Sequence, residues 1–406
     1  MKYREIEKCE VCNSYDLIAV LDLGNHPLCD DLVAVGNKIE NEKFPINILY
    51  CKLCCTAHQK FQVPKIKLFP KTYHYRSRFT ADVLRGMEEL VGSVESKIGS
   101  LKGSVVLDVG CNDGSLLDKF QQRGAITIGI EPTGAYTEAE GRGHLIINDF
   151  FSEITAKMIK KKNPRIDIIT FTNVFAHIED LPSLLRALSI LMSENTVLII
   201  ENHYLGSILN HNQFDTFYHE HPRTYSLNSF LYIAKNLNRK IISVGFPKRY
   251  GGNIRVLIGK NEILNPNEEL LIKSILEKEL NFIEKFNNMY LFINSWKLKK
   301  KKEILELVKL NGKLPTKAFP GRAAILIQLL ELTNDQIDSV YEKPGSPKIG
   351  HYVPGTKILI KSDEELINNL PDIKIILNLA WHIPQEINKY LKNYGFNGHL
   401  INIIEI

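Results

Sequence analysis

From residue 103 the chain switches between short apolar runs and longer segments whose apolar residues recur every three or four positions. "SVVLDVG" reads as a buried strand, "SLLDKFQQRG" as a helix ending at Gly124, and "AITIGIEP" as a second strand, which together make a βαβ unit. "IDIITFTNV" and "TVLIIEN" repeat the strand pattern with the helical "LPSLLRALSIL" between them, so a doubly wound parallel sheet is expected. Upstream, helical recurrence of Leu, Met and Val in "KTYHYRSRFTADVLRGMEELVGSVESKI" predicts a helix that opens this region. Downstream of Pro266, helical periodicity persists for about forty residues, longer than most globular helices, and predicts one long or two broken helices. The tail offers "AAILIQLLEL", "TKILI" and "IKIILNLAW" followed by "PQEINKYLKNYG", a second and smaller α/β layer.

The pattern divides the chain into a Cys-rich region over 1–70, a central Rossmann-like α/β domain over 71–265 and a C-terminal Rossmann-like α/β domain over 266–406. Composition is ordinary for a packed globular protein, with 44% hydrophobic and 24% charged residues. The 51 basic and 46 acidic residues are too evenly balanced to point to nucleic acid, while a net charge of +5 accommodates an anionic small molecule. The start lacks an apolar leader and no run is long enough to span a bilayer, so a cytoplasmic protein without membrane insertion is expected. The run Lys299 to Lys302 reads as a solvated helix face.

Six of the seven cysteines precede residue 56, and Cys9/Cys12 and Cys51/Cys54 form two C-x-x-C knuckles. Four soft thiolates with no open position predict a structural zinc ion supporting a region with little core of its own. Cys55 is an alternative to Cys54, and Cys29 is a spare thiol.

In "VVLDVGCNDGSLLDKF", Asp108, Gly110, Asn112 and Gly114 lie between a strand and a helix start, where glycines admit a ligand to the backbone. The G-x-G-x-x-G spacing of a dinucleotide fold is absent, which weakens an NAD reading. Glu131 ends the next strand, where a carboxylate accepts from ribose hydroxyls. Asp149 follows the third strand and suits an adenine amino group, and Asn173 follows the fourth, where the methionine end and substrate would meet. This combination points to S-adenosylmethionine.

"FYHEHPRTYS" at 217–226 lacks the spacing of a helical zinc pair, and Pro222 biases His221 toward extended backbone. Extended geometry would set His219 and His221 on one side and Tyr218 and Glu220 on the other, so pairing His221 with Glu220 needs a bend. A neutral histidine held by a carboxylate is a suitable base for removing a proton next to a ketone. Tyr75, Tyr218, His177 and His219 are the candidate donors to the resulting enolate oxygen. Gly252 and Arg255 in "RYGGNIRV" suit sugar and phosphate, and Arg322, Lys348, His351 and Tyr352 suit a diphosphate or base.

The ordered set "LDLGNHPL" between the knuckles, "YHYRS", "LDVGCNDGSLL", "NVFAHIED", "FYHEHPRTYS", "RYGGNIRV" and "GSPKIGHYVPGT" resembles the nucleotide-sugar C-methyltransferases that act on 4-keto-deoxysugars. The resemblance runs over nearly the whole chain. It implies a zinc domain, a methyl-donor domain and a C-terminal domain that helps hold a nucleotide-sugar substrate, with methylation at C-3 and no obligate partner, hence a monomer. It also implies that His221 is the base, with Tyr218 and Glu220 beside it and His177 and Tyr75 in the pocket. Two departures stand out: Pro27-Leu28-Cys29-Asp30 replaces a "PLAN" motif, and Arg322-Ala323 stands near a Lys-Gly pair, which bears on sugar and nucleotide identity. The alternatives are a methyltransferase with another acceptor, a ketosugar-enolising protein without methyl transfer, and a non-catalytic zinc-binding interaction module.

Overall fold

The structure is a computed structural model that describes residues 2–69, 76–79, 81–260, 264 and 266–405. Tyr75 lies outside the described residues. The chain forms two compact units, one of Met1–Ala19, Leu49–Asn210 and Glu220–Ile283, the other of Val20–Ile48, His211–His219 and Glu284–Ile406.

The first unit is built on a seven-stranded sheet. Its order is Lys240–Gly245, Asn253–Gly259, Val197–His203, Ile168–Thr172, Val105–Val109, Ile126–Ile130 and Leu145–Ile147. The last five run parallel, while Asn253–Gly259 is antiparallel to both of its neighbours. Four of the five residues in "IITFT" are buried, as expected for a parallel strand covered on both faces. The helix Leu181–Leu191 starts where Asp180 Oδ1 accepts from Ser183 N at 3.0 Å. It buries Leu181, Leu184, Ala187, Leu188 and Leu191, one stripe of a 3.6-residue period.

The predicted opening helix spans Ala81–Ile98, with a separate short turn at Ser77–Phe79. Its Met87, Leu90, Val91 and Val94 pack into a core with Val106, Phe120, Ile168 and Ile199. Chain order reverses between Val105–Val109 and Ile168–Thr172, and the carboxyl ends of strands at such a reversal are where doubly wound sheets take their ligands.

In the same unit Arg4–Glu5 pairs with Phe61–Gln62, and Ala57–Gln59 pairs antiparallel with Arg223–Thr224. The second pairing joins the Cys-rich segment to the chain just beyond His221.

The second unit holds another seven-stranded sheet, ordered His399–Asn402, Ile375–Asn378, Leu314–Lys317, Ile337–Glu342, Leu359–Ser362, His351–Tyr352 and Val33–Ala34. Helical periodicity after Pro266 resolves into two helices, Pro266–Glu279 and Phe282–Asn311. The lysine run is not a uniformly solvated face: Lys300 is buried and pairs with Glu303 at 2.7 Å and Glu405 at 3.1 Å. Among the described residues no helix is long and apolar enough to cross a membrane.

Candidate active site and zinc centre

The sulfur atoms of Cys9, Cys12, Cys51 and Cys54 all lie within 4.8 Å of one another. None of the seven cysteines is in a disulfide. Four convergent thiols on two tight turns fit tetrahedral zinc, and the residues that would hold it are these four. Cys54 and not Cys55 completes the cluster, and Cys55 Sγ instead accepts from Asn228 Nδ2 at 3.6 Å. The Thr56 hydroxyl sits 3.0 Å from Cys54 Sγ and 2.7 Å from the Ser229 hydroxyl. These contacts tie the second knuckle to the helix Leu227–Asn236.

At the sheet's reversal point, Gly110 (φ 72°), Asn112 (φ 52°) and Gly114 (φ 80°) turn the chain sharply from strand to helix. A Cβ on Gly110 would stand 2.6 Å from Val174, so this glycine is required by packing as well as by its backbone angle. Across the turn, Glu131 Oε2 accepts from Asn112 N at 2.9 Å and Oε1 from Thr133 N at 2.8 Å. Asp108 accepts from the Thr170 hydroxyl at 2.7 Å. Burial pushes its carboxyl up to about 7, against the Thr170 hydrogen bond and with the nearby Glu131 charge. Asn112 Oδ1 and Asp113 Oδ2 accept from Ser77 N and Arg78 N, both at 3.0 Å, so the segment before the first long helix lies against the turn. A buried carboxylate beside a left-handed turn fits the diol and amino acid ends of S-adenosylmethionine. Asp149 is exposed, and its Oδ1 accepts from Phe150 N at 2.7 Å.

Asn173 adopts φ 55° at the end of the fourth strand, where its N–H donates to Glu201 O at 2.7 Å. Its Oδ1 accepts from Asn253 Nδ2 at 3.2 Å, and the same Nδ2 reaches Glu201 Oε1 at 3.1 Å. Glu201 is fully buried between Arg249 Nε (2.6 Å) and Arg255 Nε (2.7 Å). Arg255 also donates to the Ser93 hydroxyl at 2.8 Å, so its guanidinium is engaged inside the fold, where the sequence offered it to phosphate. Gly252 (φ 118°) faces Ser207, whose Oγ would stand 2.4 Å from an added Cβ.

Three imidazoles gather in the first unit. The His221 ring lies 4.8 Å from that of His177 and 5.4 Å from that of His203. His177 Nδ1 meets the Glu220 carbonyl at 2.7 Å. A carbonyl only accepts, so Nδ1 carries the ring proton. Burial holds His177 down to about 4, against the pull of the Glu220 and Asn173 carbonyls, so near pH 7 the ring is neutral and Nε2 keeps its lone pair.

The segment 217–221 is not extended. A turn at His219 and Glu220 parts the two histidines, which extended backbone would have set on one side. His219 Nε2 lies 3.1 Å from Phe44 O in the second unit, and its ring packs edge-on against Phe44. Tyr218 also belongs to the second unit, and Glu220 and His221 belong to the first.

In the second unit Arg322 donates to the Thr216 hydroxyl at 3.0 Å, lies 3.4 Å from Asp215, and stacks over Trp381 at 5.5 Å. Lys348 donates to Phe319 O at 3.0 Å and pairs with Asp30 at 3.4 Å.

Sequence reasoning missed His203. The available signal was its place at the carboxyl end of a strand one removed from the reversal point.

Fold and donor turn define an S-adenosylmethionine-dependent methyltransferase carrying a zinc module. Three family models match in order: a zinc binding domain over residues 9–69, a methyltransferase domain over 76–244, and a C-methyltransferase C-terminal domain over 248–404. C-methyltransferase NovU of Streptomyces niveus is 25% identical over 97% of this chain and 94% of its own length. The ubiquinone biosynthesis O-methyltransferase of Pseudomonas fluorescens is 33% identical over 24% of this chain and 43% of its own. Among solved structures, magnesium protoporphyrin IX methyltransferase from Synechocystis with bound S-adenosylmethionine is 15% identical, with a TM-score of 0.33 over 44% of this chain and 80% of its own. With the three domain models matched in order and a similarity to NovU that runs end to end, the chain has the domain layout of a C-methyltransferase with a zinc-binding domain, and it is an S-adenosylmethionine-dependent C-methyltransferase.

Proposed function

We propose that the chain methylates carbon 3 of a nucleoside-diphosphate-linked 4-keto-deoxysugar, through an enolate formed by His221. The observation that carries the reading is the imidazole cluster of His221, His177 and His203, in the same unit as the donor turn. S-adenosylmethionine supplies an electrophilic methyl group.

A carbon nucleophile requires loss of the proton next to the ketone, and His221 takes it. Glu220 and Tyr218 flank that base in sequence and support it. The neutral His177, protonated at Nδ1, has no second N–H to give, so it fixes the loop through the Glu220 carbonyl and does not serve the enolate oxygen. We assign that donor role to His203, with Tyr75 as the second candidate. Glu131, Asp108, Asn112 and the two glycines hold the methyl donor, and Asn173 is held at the strand end between donor and acceptor. The carbon that loses the proton takes the methyl in line, which needs a separation of about 3 to 3.5 Å.

Arg322 and Lys348 sit beside Asp215 and Asp30, and their reading as contacts for the nucleotide diphosphate requires phosphate to outcompete those carboxylates. We read Arg255 and Gly252 as parts of the scaffold behind Asn173. The protein works as a cytoplasmic monomer in this reading. Incubation with donor and a panel of 4-keto nucleotide sugars in deuterated water tests it: the reading expects one methyl per sugar, with deuterium exchange at the adjacent carbon. Methylation of an oxygen or nitrogen, or exchange without methylation, replaces it with one of the alternatives.

A further inference from the structure

We propose that Glu10 and Arg223 form a positioning clamp through which the zinc module sets His221, resting on the reading of His221 as the base. Glu10 lies inside the first knuckle, between Cys9 and Cys12. Its carboxylate pairs with Arg223 and with Arg4, accepts from Gln62 Nε2 at 2.9 Å, and faces His58 Nδ1 at 4.0 Å. Arg223 is fully buried two residues beyond His221. Its Nε donates to the Tyr225 hydroxyl at 3.0 Å, and its Nη1 also reaches Glu179 O at 3.4 Å.

This guanidinium therefore ties three stretches together: the metal knuckle, the turn that carries His177, and the segment that carries His221. Backbone pairing acts in parallel, since Gln59 N donates to Pro222 O at 2.9 Å and Arg223 stands opposite His58. A buried arginine is costly to desolvate, and removing its carboxylate partner leaves that cost uncompensated. A purely packing role would not need a charge at this place. The pair makes the location of the base depend on the location of the knuckle, so the cysteine module bears on the reaction without supplying a group to it.

The test uses the full-length zinc-loaded protein and Glu10→Gln, which keeps the size of the side chain and removes its charge. Metal content and the S-adenosylmethionine dissociation constant stay at wild-type values, while kcat falls on the order of tenfold or more and KM for the sugar changes less. The imidazole Cε1–H resonances of His221 and His177, assigned with His221→Gln and His177→Gln, move in Glu10→Gln. Unmoved resonances with full zinc occupancy overturn the clamp, as does wild-type kcat. If Glu10→Gln loses zinc, Arg223→Lys leaves the knuckle intact and makes the same comparison. The resonances report on the clamp even if no sugar is methylated, so failure of the base assignment is distinguishable from failure of the clamp.

Discussion

The two units place charge beside their sheets in different ways. In the first unit the strand ends around the reversal point carry Asp108, Glu131 and Asn173 on left-handed or buried backbone, an acidic and amide-rich rim, while the buried Glu201 is neutralised by Arg249 and Arg255. In the second unit Lys317 at a strand end, Arg322 at a helix start and Lys348 in a turn are each matched by a carboxylate: Lys317 by Asp363, Arg322 by Asp215, Lys348 by Asp30. Acidic acceptors suit a ligand rich in hydroxyl and ammonium donors, as S-adenosylmethionine is. Basic groups held by carboxylates are already neutralised, so an anionic ligand at them has to displace a carboxylate. The difference means that the methyl-donor side relies on acceptor groups, while the basic groups of the second unit are held in ion pairs.

The largest effect expected in this comparison is loss of the zinc module, whose four thiols belong to the first unit. Chelation or Cys51→Ser should remove most of the cooperative unfolding transition of that unit, because metal binding and folding are coupled at a four-thiolate site. Circular dichroism with parallel zinc measurement reads it.

The next effect belongs to the second unit. Burial pushes His219 down to about 4, partly opposed by the Phe44 carbonyl and reinforced by His26. The unfolded ring titrates near 6.5, so between these values the unfolded chain binds more protons. Stability is therefore complete above about pH 6.5 and is lost as pH falls toward 4, by up to about 3 kcal/mol from this group. Urea unfolding at pH 7.5 and 5 should show a smaller drop in His219→Gln than in the wild type.

Glu131→Ala should weaken S-adenosylmethionine binding by about 1.5–3 kcal/mol, the range for hydrogen bonds to a charged group, with no change in sugar affinity. Calorimetry measures both. Arg322→Ala should do the reverse, raising KM for the sugar about tenfold through one lost charge-assisted contact while leaving donor binding alone. Asp149→Ala should be the mildest, below about 1 kcal/mol, since an exposed carboxylate gains little from one amine. A large effect at Asp149 with none at Glu131 would invert the account of the donor site.

Features written in local spacing are legible in the amino-acid sequence itself. The two knuckles, the glycine turn and Glu131 each depend on residues a few positions apart, or on the end of a strand that periodicity already marks. His203, Glu10 and Arg223 are not legible there, because their meetings depend on strand order and on a backbone pairing between residues 57–59 and 223–224. The parting of His219 from His221 escapes for a different reason: alternation assumes extended backbone, and the turn at His219 and Glu220 breaks it. Arg255 looks available to phosphate because the sequence does not show that a buried Glu201 stands beside it.

The central claim is that His221 removes the proton that creates the carbon nucleophile. Deuterium exchange at the carbon next to the sugar ketone, measured in wild type and His221→Ala with S-adenosylmethionine omitted, tests it most directly. The account predicts exchange in the wild type and a loss of about 10²–10⁴-fold in the variant, the range for general-base catalysis, with donor affinity unchanged. Exchange in His221→Ala at the wild-type rate would contradict it.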